Sequence, residues 1–341
     1  MAAVESLAVA PDRDPEPAPL LAVRDLVKVY PGPRRGLFGP RRELTAVAGV
    51  SFELAAGETL AIVGESGCGK STVGNLVLNL IEPTSGRVAF DGEDLSATGA
   101  DRWRALRGDM QLIFQDSRSA LDPRLSIGDQ VREGLDIHGL GAPAERRAEA
   151  EAMLEAVGLP GFADRYPHAL SGGQQQRAVI ARALAVGPRL VVCDEPVAAL
   201  DVSIQAQVVN LLTDLQARLG LSYLFISHDL SLVRHVSDRI AVMYLGAFVE
   251  VGSRRQIFDE PRHPYTRALI GAVPVARARR EPRGRPVRLS GEVPSPLDPP
   301  PGCSLHPRCP FATGRCRAER PLPRRQADGR SIACHHPEAA A

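Results

Sequence analysis

The chain has 341 residues, 44 % of them apolar, and carries 41 basic against 40 acidic side chains. That is enough for one large domain with an appendage, or two modest domains, and the near-zero net charge gives no field pointing to nucleic acid as the main partner. No apolar run reaches the roughly 20 residues that cross a bilayer, so membrane work is expected to pass through partners.

Residues 1–19 mix acids and prolines where a secretory signal would place a basic stretch and then an apolar one; they read as a disordered lead-in, and the chain is expected to stay in the cytosol. Over residues 20–262, short β-rich runs alternate with helical stretches, the pattern of an α/β sheet with parallel strands at its centre. Strands are predicted at Val47–Leu54, Glu58–Val63, Met110–Phe114, Leu190–Cys193, Leu221–Ile226 and Ile240–Tyr244. Between Asp116 and Ala169 the strand pattern stops, and the charged, alanine-rich run Glu145–Val157 reads as a helix. A helical insertion, bounded at about residues 116–175, is the simplest account. Asp201–Gly220 reads as a helix with Ile204, Val208, Leu211, Leu212, Leu215 and Leu219 on one face. Asp201 or Ser203 is placed to cap its start, and Gly220 to end it.

Chemistry enters with Gly64, Glu65, Ser66, Gly67, Cys68, Gly69, Lys70 and Ser71, a phosphate-loop pattern between a predicted strand and a helix. Glycines let backbone N–H groups turn inward around phosphates, and the helix N-terminus adds its dipole. Lys70 is expected to span the β- and γ-phosphates, Ser71 to ligate Mg²⁺, and Thr72 to donate to the α-phosphate. The apolar run Leu190–Cys193 ends in Asp194 and Glu195, placing both acids at the sheet edge that holds the phosphate loop. Asp194 is expected to hold Mg²⁺ and Glu195 to orient and deprotonate the attacking water. His228 and Gln115 each follow an apolar strand to that same edge. His228 is read as a γ-phosphate contact, and Gln115 as touching both Mg²⁺ and the water.

Beyond Pro261 the composition turns to proline and arginine, and residues 263–341 form an extension. Val275–Arg288 holds six arginines and reads as a solvated linker. Within residues 302–334, Cys303, Cys309, Cys316 and Cys334 supply four thiols. In a reducing compartment such a cluster points to metal more than to disulfides. The spacings are unlike a zinc ribbon; four soft thiolates suit a [4Fe–4S] cluster or Zn²⁺, with free thiols the third reading. His306, His335 and His336 read as surface histidines.

The phrase LSGGQQQR at Leu170–Arg177, with DEP, ALD and SHD after it, resembles the nucleotide-binding subunits of ABC transporters over about Leu20–Pro261. The resemblance implies a P-loop ATPase domain with a RecA-like mixed sheet, an antiparallel β subdomain and the helical insertion, followed by a small cysteine-rich extension. It implies that Ser171, Gly172 and Gly173, with Gln174 beside them, contact ATP held by the opposite subunit, and that Asp201 crosses the dimer interface. Gln115 matches the loop coupled to membrane subunits, His228 the switch histidine, and Tyr30, in KVYPG, the aromatic on which adenine stacks. More narrowly, DEPVAALDVSIQAQVVNLL, MYLGAFVEVG and HPYTRALIGAVP look like the dipeptide and oligopeptide importer ATPases, a group that includes nickel importers. RRGLFGPRR at Arg34–Arg42 looks like their second-ATPase type. Ala198 and Ala247 depart from the pattern, and neither handles phosphate. Such importers imply a sister ATPase, two permease subunits and an extracytoplasmic binding protein, with the ATPase at the cytoplasmic face of the membrane. The tail around Gly302–Cys334 is similar to importer tails assigned to a [4Fe–4S] cluster, which favours the cluster over Zn²⁺. An ABC ATPase acting on nucleic acid or ribosomes usually needs two ATPase domains or a coiled-coil insertion, and an exporter subunit is often fused to membrane helices. Neither feature is present in the sequence.

Overall fold

Leu60 and Ile62 point to one side of the run Thr59–Val63 and Ala61 and Val63 to the other, and all four are fully buried. A strand apolar on both faces needs cover on both, which is the situation of a central parallel strand between two layers. The computed structural model shows that arrangement and describes residues 18–34, 41–272 and 287–337. The lead-in over 1–17, residues 35–40 of the Arg34–Arg42 segment and the linker over 275–286 lie outside the described residues.

The strands are β1 (Leu21–Arg34), β2 (Arg41–Leu54), β3 (Thr59–Val63), β4 (Ser85–Phe90), β5 (Glu93–Asp94), β6 (Met110–Ile113), β7 (Leu190–Asp194), β8 (Ser222–Ser227), β9 (Arg239–Tyr244), β10 (Ala247–Ser253), β11 (Arg324–Arg325) and β12 (Ser331–Ile332). The helices are α1 (Lys70–Val77), α2 (Ala100–Asp109), α3 (Ser117–Ala120), α4 (Ile127–His138), α5 (Arg146–Ala156), α6 (Gly172–Leu184), α7 (Val202–Leu219), α8 (Leu230–Val236), α9 (Arg254–Asp259), α10 (Pro264–Gly271) and α11 (Gly314–Ala318). An antiparallel sheet has the order β2-β1-β4-β5, and a mixed sheet the order β11-β12-β10-β9-β3-β8-β7-β6. From β9 to β6 the neighbours are parallel, so the carboxyl ends of β3, β6, β7 and β8 share one edge.

One core lies between this sheet and the antiparallel one, where Leu60, Ile62, Val192, Leu224 and Met243 meet Val73, Leu76 and Val77 of α1. The other joins Ala61, Val63, Cys193, Phe225 and Val242 to α6, α7 and the helical insertion. At about 1.5–3 kcal/mol for each large apolar side chain fully buried, these layers fix the position of the edge between them. In the insertion Ser126 caps α4 by accepting from the Asp129 N–H, and Gly139 ends it at φ 64°. Ile127, Val131 and Leu135 of α4 are buried with Ala150 and Leu154 of α5. Helix α7 starts at Asp201, whose side chain makes no capping hydrogen bond, and ends at Gly220 with φ 67°. Its buried residues are Val208, Val209, Leu212 and Leu215, whereas Leu219 in the last turn is 47 % exposed.

Composition changes near residue 262, but the structure does not break there. Strand β12 pairs with β10 through Glu250 opposite Ile332 and Val251 opposite Ser331. Arg330 and Glu250, both buried, meet at 3.3 Å. The residues after 287 therefore extend the mixed sheet instead of standing apart from it. Among the described residues no helix is long and apolar enough to cross a membrane.

Candidate active site

Strand β3 runs into the loop at Gly64 and α1 starts at Lys70, so the loop must turn sharply between two buried elements. Gly69 takes φ 109°, and a β-carbon there would lie 2.2 Å from the Ala46 carbonyl oxygen; only glycine fits without displacing β2. Above the loop lies a cleft of about 350 Å³ lined by Ser66, Gly67, Cys68, Gly69, Lys70, Ser71 and Thr72, together with Tyr30, Gln115 and Glu195. Lys70 is buried, and its Nζ donates to the carbonyls of Gly64 at 2.9 Å and Glu65 at 3.1 Å.

The carboxyl ends of the neighbouring strands supply the rest. Ser71 Oγ donates to Asp194 Oδ1 at 2.9 Å. Gln115 Nε2 donates to Glu195 Oε2 at 3.1 Å, and His228 Nδ1 lies 3.0 Å from Glu195 Oε1. Glu195 holds a left-handed backbone, φ 47°, a conformation that costs a non-glycine residue on the order of 1–3 kcal/mol. Its N–H donates to the Ile226 carbonyl at 2.9 Å, anchoring the strained residue to β8. Burial pushes the Asp194 carboxyl above its ordinary range; the Ser71 hydrogen bond opposes that, the Glu195 charge adds to it, and Lys70 opposes it. Burial likewise raises the Cys68 thiol. The Ser71 hydroxyl, the Asp194 carboxylate and the Gln115 amide are hard oxygen donors, the set that suits Mg²⁺.

Two predicted groups stand apart from this cleft. Glu65 turns away: its N–H donates to Tyr265 Oη at 3.0 Å, and its carboxylate pairs with Arg308 at 3.1 Å. Ser171, Gly172, Gly173, Gln174 and Asp201 do not line it. Ser171 instead caps α6 through a reciprocal pair, its Oγ accepting from the Gln174 N–H and its own N–H donating to Gln174 Oε1. Leu44, Thr45, Ala46, Leu245, Gly246 and Pro296 line the cleft without a sequence signal. They arrive by strand pairing and by the return of the chain after residue 287.

Cys303, Cys309, Cys316 and Cys334 all line one cavity of about 20 Å³, with His306, His335 and His336 around it. Burial raises the Cys303 and Cys309 thiols and pushes Cys334 up to about 11. Among the described residues no three His, Cys, Asp or Glu side chains are grouped closely enough to form a metal centre.

A phosphate loop and paired acids at one edge of a parallel sheet, under an antiparallel sheet and beside a helical insertion, define a P-loop ATPase of the ABC type. Comparisons with known proteins agree. Residues 47–198 match the family described as ABC transporter, and residues 249–316 match the one described as oligopeptide/dipeptide transporter, C-terminal region. The chain is 48 % identical to the oligopeptide transport ATP-binding protein AppF of Bacillus subtilis, over 93 % of this chain and 97 % of that one. It is 48 % identical to the dipeptide transport ATP-binding protein DppF of Escherichia coli, over 93 % and 94 %. Among solved structures, the ATP-binding cassette MJ0796, a dimer in a post-hydrolysis state bound to ADP and Pi, aligns with a TM-score of 0.60 and 31 % identity, over 69 % of this chain and 99 % of that one. The cbiO1 protein of Clostridium perfringens, part of the ABC transporter complex cbiONQ, aligns with a TM-score of 0.61 and 28 % identity, over 71 % and 91 %. The chain belongs to the ABC transporter ATP-binding proteins of the dipeptide/oligopeptide importer family.

Proposed function

We propose that this chain hydrolyses ATP to drive import of di- and oligopeptides, working as one of a pair of ATPase subunits beneath two membrane permeases, with an extracytoplasmic protein delivering the peptide. The observation that carries the reading is the convergence of Lys70, Ser71, Gln115, Asp194, Glu195 and His228 at one sheet edge. Lys70 and the loop N–H groups bind the phosphates, and Tyr30 offers its ring to adenine. Glu195, held by Gln115 on one oxygen and His228 on the other, is oriented to take a proton from the attacking water. Mg²⁺, held by Ser71 and Asp194, would offset charge on the phosphoryl oxygens.

The signature residues Ser171–Gln174 and Asp201 lie outside their own chain's cleft, as residues that serve a facing subunit would. The N-terminus of α6 presents Ser171, exposed, with the helix dipole behind it, a setting suited to the γ-phosphate of ATP bound by that subunit. A groove of about 780 Å³ beside Gln115, where Phe114 is 51 % and Leu125 41 % exposed, is the surface we assign to a permease. On this reading the chain works at the cytoplasmic face of the membrane.

Four soft thiols around one cavity fit a [4Fe–4S] cluster, with Zn²⁺ as the alternative ion. Cys303, Cys309, Cys316 and Cys334 would hold it, and binding would have to draw protons from Cys303, Cys309 and Cys334, whose thiols burial raises. A broad visible absorption band in anaerobically purified protein identifies the cluster, and zinc without that band identifies the alternative.

The paired-subunit reading is tested by light scattering of the E195Q variant mixed with a sister ATPase. Stable association is expected with ATP, and its loss in an E195Q S171R double variant. Association that ignores both ATP and S171R would refute the shared site.

A further inference from the structure

Glu65 is an acid inside a loop built to hold a triphosphate, and unpaired it would repel that ligand. The structure pairs it from a distance. Arg308, between His306 and Cys309, sends Nη1 to within 3.1 Å of Glu65 Oε2 and 3.3 Å of Oε1, and Nη2 to within 3.3 Å of Oε1. The Arg308 side chain is only 11 % exposed, its Nε is buried without a partner, and Nη1 also reaches Tyr244 Oη at 3.4 Å. A buried guanidinium that leaves one donor unsatisfied while aiming its fork at one carboxylate is strongly committed to that contact. Tyr265 adds a second hold through the Glu65 N–H, and its ring packs 4.7 Å from that of Tyr244. The Glu65 carbonyl accepts from Lys70, so the residue that fixes Lys70 is itself fixed by the extension.

We propose that Arg308 is a positioning residue of the ATP site: reaching from the cysteine-bearing segment, it neutralises and orients Glu65, so that the phosphate loop accepts a triphosphate. This makes the extension part of the nucleotide site. It rests on the reading of Gly64–Thr72 as the phosphate loop, which a K70A variant binding nucleotide like wild type would sink independently.

The test is a double-variant cycle on the full-length chain, with Mg·ADP affinity by titration calorimetry and stability by urea unfolding. In the Glu65 background R308M is expected to weaken binding about tenfold, because an acid of the phosphate loop is left uncompensated. In the E65Q background the same change is expected to cost about twofold or less. A merely structural arginine would lower stability and impose the same binding penalty in both backgrounds. That result, or a penalty below twofold with Glu65 present, overturns the proposal. Should R308M fail to fold, the cycle is run with R308K, which keeps the charge but loses the fork. A coupling of about threefold is then expected, and none overturns the proposal.

Discussion

Replacing Glu195 by glutamine separates binding from chemistry. The amide keeps the shape of the side chain, so Gln115 Nε2, now 3.1 Å from a carboxylate oxygen, still finds an oxygen acceptor, and the strained backbone keeps its anchor on Ile226. The change to folding stability is expected to stay within about 1 kcal/mol, the scale of a single exchanged hydrogen bond. Removing the charge also relieves Asp194, whose carboxyl Glu195 helps to raise, so Mg·ATP affinity is expected to hold or increase. On the proposed reading, what goes is the proton acceptor. General-base catalysis contributes about 10²–10⁴ in rate, or about 3–5 kcal/mol of barrier. Phosphate release under saturating ATP should therefore fall by at least about a hundredfold, while equilibrium binding of ATP survives. Turnover within threefold of wild type would refute the assignment of the base. A parallel collapse of ATP binding would instead show that the carboxylate shapes the pocket.

The remaining predictions concern packing and protonation. Gly69→Ala places a β-carbon on the Ala46 carbonyl in a left-handed backbone; it should cost about 1–3 kcal/mol and weaken nucleotide binding, and wild-type affinity would contradict the account of the turn. Arg330→Met leaves the buried Glu250 carboxylate with only the N–H groups of Arg262 and His263, so urea unfolding should show a loss of about 3–5 kcal/mol, and a loss below 1 would contradict it. Burial holds His263 down at about 3, against 6.5 for the free side chain, and a backbone hydrogen bond with Ala333 opposes that. Between these values the unfolded chain binds a proton that the folded chain refuses. Stability contributed by the neutral ring is thus complete above pH 6.5 and is lost as pH falls towards 3, by up to about 1.4 kcal/mol per pH unit. An H263Q variant should show a shallower loss between pH 6 and 4, and an unchanged slope would remove His263 as the cause.

What could be read in the sequence followed from how completely each element is determined locally. Strands β3, β7, β8 and β9 are apolar on both faces and bounded by motif residues, so they announced themselves. Strand β1 did not: it is half-buried, interrupted by prolines at Pro31 and Pro33, and paired with β2 through several register shifts. Strands β11 and β12 are two residues long and exist because β10 offers them an edge. The prediction of β2 reached only Val47–Leu54, since its first half, from Arg41, is polar and exposed enough to look like loop. The site divides the same way. Phosphate chemistry dictates residue types at Gly64–Thr72 and Asp194–Glu195, and those types are visible as text. Pro296 lines the cleft, and Arg308 meets Glu65 of the phosphate loop, only because the chain returns there, Arg308 from 243 residues beyond Glu65, and no local pattern encodes that return.

Transport itself is the most direct test. On the proposed reading the chain is assembled with a sister ATPase and two permeases in sealed vesicles and supplied with labelled peptide on an extracytoplasmic binding protein. ATP on the cytoplasmic side should drive peptide accumulation in step with phosphate release, and E195Q should abolish both. Accumulation that survives E195Q, or ATP hydrolysis that moves nickel chelates and no peptide, would contradict the account.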